Sequence, residues 1–128
     1  MALALTSAAS LGVFSIATSY ARDSSSYYLE SRNDLGLVVF CASKGLLPGD
    51  SERFFKAHIE EFYRKLPPTA GGDLHKSKGR QGISYLQGDE QPLEELAAAN
   101  GVELADVCHE YRNQIFMGKL ITKRQPAK

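Results

Sequence analysis

Two cysteines, three histidines and one basic, glycine-rich run are the residues of this chain whose types could do chemistry. A cysteine becomes a nucleophile when a neighbouring base takes its proton. Cys108 is followed by His109, but neighbours on a helix point about 100° apart and cannot form a working pair. His58 and Glu61 share a helix face at i, i+3, with Glu60 adjacent. No HExxH pattern and no second histidine accompanies them, so a metal centre lacks ligands and the segment reads as a solvated helix flank. The spacing assigns no catalytic residue, no metal site and no cofactor.

The basic run is Gly71-Gly72-Asp73-Leu74-His75-Lys76-Ser77-Lys78-Gly79-Arg80. No GxxxxGK[ST] register fits it, so it is not a P-loop. Backbone amides near a helix start, together with His75, Lys76, Lys78 and Arg80, could hold a carboxylate or a phosphate. These four are the candidate contact for an anion or a partner, against the plainer reading of a soluble basic loop.

The cysteines acquire a different meaning from the start of the chain. Residues 1–21 carry no charge and end in Ser19-Tyr20-Ala21. A short apolar stretch closed by small residues is the pattern of a secretory leader, although no Lys or Arg precedes Arg22. An Ala/Ser-rich terminus of a cytoplasmic protein is the alternative. Export would place Cys41 and Cys108 in an oxidising compartment, where paired cysteines bond. Without export they read as two buried thiols. A Cys41–Cys108 bond would close a loop of about 67 residues and contribute on the order of 4 kcal/mol.

The elements that must position these groups read as helices. Asp23 to Ser26 offer caps for a first helix running to Lys44, with Tyr28, Leu35, Val38, Val39 and Ala42 at helical spacing. Gly36 within it is a weak point or a place of close helix approach. Asp50 or Ser51 caps a second helix that ends before Pro67, with Phe55, Ile59, Phe62 and Leu66 as its stripe. A third helix is expected over about 73–87. Pro92 opens a fourth, which Asn100-Gly101 stops. Leu104, Cys108, Tyr111 and Ile115 mark one face of a last helix over 103–118. No run alternates with period 2 over six residues, so no sheet is expected. The reading is an all-α single-domain bundle of four to five short helices, first and last joined by the disulfide. Its boundaries are a leader over 1–21, a helical domain over 22–118 and a basic flexible tail over 119–128.

The stretch from Leu93 to His109 resembles the DNA-binding helix-turn-helix. Ala97, Gly101, Val102 and Val107 fall where that motif wants a small residue, a turn glycine and two core apolars. The resemblance implies two short helices joined by a tight turn. Its exposed face would be Glu103, Ala105, Asp106, His109 and Glu110, which repels phosphate.

Fifteen Lys+Arg balance fifteen Asp+Glu. A net charge of zero argues against a polybasic nucleic-acid or membrane binder, and no stable membrane span is expected once the leader is gone. The leading expectation is an exported, periplasmic or secreted binding protein without catalytic activity. By analogy it is of inhibitor, immunity or chaperone type, with another protein as partner. The alternative is a cytoplasmic helical module that uses the 93–109 hairpin on nucleic acid.

Overall fold

A computed structural model describes residues 11–124, with side-chain environments from Ser26 onward. It contains six helices and one hairpin: α1 (Leu11–Ser43), α2 (Ser51–Phe62), α3 (Ala70–Arg80), β1 (Ile83–Leu86), β2 (Asp89–Pro92), α4 (Leu93–Ala99), α5 (Leu104–His109) and α6 (Arg112–Arg124). The mainly helical character expected from periodicity holds; the sheet was not expected. Among the described residues no helix is long and apolar enough to cross a membrane. Residues 1–10, the first part of the expected leader, lie outside the described residues.

Two helix pairs organise the molecule, and glycine permits each. Where α1 crosses α3, Gly36 faces Gly79. A Cβ on Gly36 would lie 2.1 Å from the Lys76 carbonyl oxygen, and one on Gly79 would lie 2.3 Å from that of Asn33. Of the two readings of Gly36, close approach is the one observed. Where α2 meets α6, a Cβ on Gly118 would lie 1.7 Å from the Phe54 carbonyl oxygen. Between these pairs sits one core containing Leu35, Val38, Phe55, Ile59, Leu93 and Ile115. Burying such a face, rather than helix propensity, is what holds short helices in water.

The disulfide joins Cys41 to Cys108, with Cα atoms 5.8 Å apart and both side chains fully buried. It ties α1 to α5, not to the last helix. The helix expected over 103–118 is broken at Glu110 and Tyr111, whose amides reach back only three residues, to Val107 and Cys108. The second segment thereby turns onto α2. It also runs to Arg124 with Ile121 buried, so the first six residues of the expected flexible tail are helical. At the other end α1 passes through Asp23–Ser26, so those residues are interior to the helix and not its cap. In α2, Phe55 and Ile59 are buried as expected, but Phe62 is 53% exposed.

The third expected helix stops at Arg80, and its second half is the hairpin. Gly82 has φ +82°, which ends the helix. Gln87 and Gly88 both take positive φ, +48° and +103°, as a two-residue type I′ turn requires. The register pairs Ile83 with Pro92, Tyr85 with Glu90 and Leu86 with Asp89. The outer edge of β1 is satisfied by one side chain from α1. Asn33 donates to the Ile83 carbonyl at 3.0 Å and accepts from the Tyr85 amide at 3.2 Å, as a neighbouring strand would.

Candidate functional site

The helical period of α3 divides the four residues singled out in the basic run. Residues four apart share a face, so Lys76 and Arg80 lie together with Asp73 and Ser77 on one side. His75 and Gly79, with Gly72, form the buried side against α1. Lys78 points towards the hairpin.

His75 is therefore not a surface contact. It is 4% exposed, and both ring nitrogens are committed to backbone. The Gln87 amide donates to Nε2 at 3.1 Å, so Nδ1 carries the proton and donates to the Gly71 carbonyl at 2.7 Å. Its ring packs edge-on against Tyr85, 4.7 Å between centroids. His75 pins the hairpin turn to the first turn of α3. Lys78 is paired with Glu90 of β2 and lies over the Tyr85 ring. The Glu90 hydrogen bond holds its pKa above the ordinary lysine value.

Lys76 and Arg80 line a surface groove of about 450 Å³ with Arg32, Asp73, Ser77 and Gln81. Arg32 is the member that periodicity did not single out. It projects from α1, 6% exposed, into a pre-set network. Its Nη2 donates to Asp73 Oδ1 at 2.9 Å, and its Nη1 donates to Tyr28 Oη at 3.0 Å. Tyr28 in turn donates to the Pro67 carbonyl and meets Thr69 Oγ1, the side chain that caps α3 through the Gly72 amide. Burial opposes the Arg32 charge, but the bonds to Asp73 and Tyr28 outweigh it and hold its pKa above the usual guanidinium value. Gly72 is what makes room: a Cβ there would lie 2.4 Å from Tyr28 Oη.

The groove thus carries three cations and one carboxylate. Lys76 also reaches Glu52 of α2 at 2.5 Å, whereas Arg80 has no side-chain partner among the described residues. An incoming anion meets the exposed guanidinium of Arg80 and the hydroxyl of exposed Ser77. It competes with Glu52 for Lys76. A carboxylate or phosphate fits this donor set, since guanidinium binds both in a planar fork.

The other sequence candidates lie apart from the groove. His58 is half-buried against Phe62 and Tyr63, at 5.2 and 5.9 Å, and burial lowers its pKa. Among the described residues no three His, Cys, Asp or Glu side chains gather as a metal site. The 93–109 segment does form two short helices joined through Gly101 at φ +68°. Its outward residues Glu103, Asp106 and Glu110 are exposed carboxylates. No protein-family model, curated protein or solved structure matches this chain.

Proposed function

We propose that this protein is a disulfide-stapled helical binding module that captures an acidic segment of a partner protein and acts without catalysis. The groove formed by Arg32, Lys76 and Arg80 carries the reading: three cations converge on one surface, and one of them has no side-chain partner among the described residues. The donor set suits a side-chain carboxylate, and the buried Arg32 network holds one of its guanidinium groups in place before any ligand arrives. The buried disulfide supports an exported location, because such bonds form and persist in oxidising compartments. The acidic outer face of the α4–α5 hairpin disfavours the nucleic-acid alternative.

The test is an amide-resolved NMR titration with an acetylated tetraglutamate peptide. Shifts are expected at Lys76, Ser77 and Arg80. They should vanish in the Lys76→Glu/Arg80→Glu variant and persist in Lys78→Glu. Shifts that are absent, or unchanged in the double variant, overturn the reading. Mass spectrometry of the protein from its native source checks the address: a chain starting at Arg22 and lighter by two hydrogens is expected.

A further inference from the structure

The zero net charge conceals a strong segregation along the last third of the chain. Residues 81–111 contain seven Asp and Glu and no Lys or Arg; residues 112–128 contain five Lys and Arg and no Asp or Glu. In the fold this becomes an acidic stripe on α5 and a basic stripe on α6. Glu103, Asp106 and Glu110 recur at i, i+3 and i+7 on α5, all exposed, with Val102 beside them 42% exposed. On α6, Arg112, Phe116, Lys119 and Lys123 recur at i, i+4, i+7 and i+11, with Leu120 next to them. Phe116 is 60% and Leu120 41% exposed.

This α6 stripe is a second apolar face, separate from the one the helix spends on α2. Ile115, Gly118 and Ile121 point inward, whereas Phe116 and Leu120 stand outside the core formed by the described residues. The cations beside them are uncommitted too: Lys119, Lys123 and Arg124 make no ion pair among the described residues. The carboxylates of Glu103 and Asp106 accept from each other's backbone amides in a capping box on α5, and these two and Glu110 face no cation within ion-pair distance among the described residues. Within one molecule no ion pair joins the two stripes among the described residues.

We infer that the α6 stripe docks on the acidic α5 stripe of a second copy of this chain. Each copy carries both halves of the match, a basic stripe with Phe116 and Leu120 and an acidic one with Val102. The contact joins two different patches, so it is head-to-tail and either closes as a ring or extends as a chain. An anionic membrane would satisfy the cations of α6, but it would be repelled by the seven carboxylates on the segment that leads into that helix. The contact is independent of the Arg32–Lys76–Arg80 groove.

Sedimentation of the full chain as a function of concentration and salt tests this. At low ionic strength the apparent mass should rise above 14.0 kDa with concentration. It should return to that value in roughly 0.5 M salt, where the screening length falls to about 4 Å. Lys119→Glu/Lys123→Glu and Glu103→Lys/Glu110→Lys should each remain monomeric alone at low salt. Mixed, they should associate, because the reversed α6 of one faces the reversed α5 of the other. Circular dichroism confirms that both variants fold. A monomer at every concentration overturns the inference. So does a mixture that fails to associate, association abolished by Lys76→Glu/Arg80→Glu, or phosphatidylserine vesicles that bind the chain through α6 while it stays monomeric in solution.

Discussion

The Asp34 carboxyl, partly buried on α1, accepts a hydrogen bond from Tyr111 Oη at 3.1 Å. Burial pushes its pKa up to about 6; the Tyr111 bond pulls it down, and nearby Glu30 pushes it up again. In the unfolded chain it titrates near the ordinary aspartate value, so between about pH 4 and 6 the folded state holds the extra proton. Stability from this group is complete below about pH 4 and is lost as pH rises through 6, by up to about 3 kcal/mol. Denaturant unfolding of the wild type should therefore weaken across that window. Asp34→Asn should flatten it and raise stability at pH 7, and an equal pH slope in the variant would refute the assignment. Ser31-Arg32-Asn33-Asp34 is a polar break in the apolar pattern of α1, and that break is the one sequence signal that could have pointed to Arg32. Its meaning was not legible, because Arg32, Asn33 and Asp34 reach Asp73, His75, Tyr85 and Tyr111 at sequence separations of 41 to 77 residues.

At the scale of elements, glycine decides how closely helices approach. Gly79→Ala should cost about 3 kcal/mol or more, because backbone atoms on α1 cannot yield to a new methyl group. Gly71→Ala is the control: its Cβ would meet only the Leu29 side chain, at 3.7 Å. Thermal melts distinguish them, and equal midpoints would show that the α1–α3 crossing can relax. How much was readable follows the same logic. The stripe of α2 and the face through Leu104 and Cys108 are local periodicities, and both locate real helices. The hairpin was hidden because its strands are four residues each, too short for alternation to register. Its turn residues, Gln87-Gly88, are a weaker signal than Asn-Gly. Lys76 and Arg80 were identified from composition. Their separation from His75 and Lys78 follows only once the run is known to be helical.

For the whole molecule, the buried disulfide is the dominant long-range constraint. Cys41→Ser/Cys108→Ser should cost on the order of 4 kcal/mol in urea unfolding, a large share of a small domain's stability. A loss below about 1 kcal/mol would mean that the unfolded chain gains little freedom when the bond is absent. Full burial also means that a reductant must wait for the fold to open. The bond has a topological consequence as well. The chain from Cys41 to Cys108 is a covalent ring that encloses α2, α3, the hairpin and α4, while α6 hangs outside it. A protease nick at the Gln87-Gly88 tip would leave a single molecule, heavier only by the water added in hydrolysis, until a reductant separates the two pieces. A nick at Glu110–Tyr111 would leave α6 without a covalent tie, held by its packing on α2 and by the Tyr111–Asp34 hydrogen bond, free to be shed or exchanged.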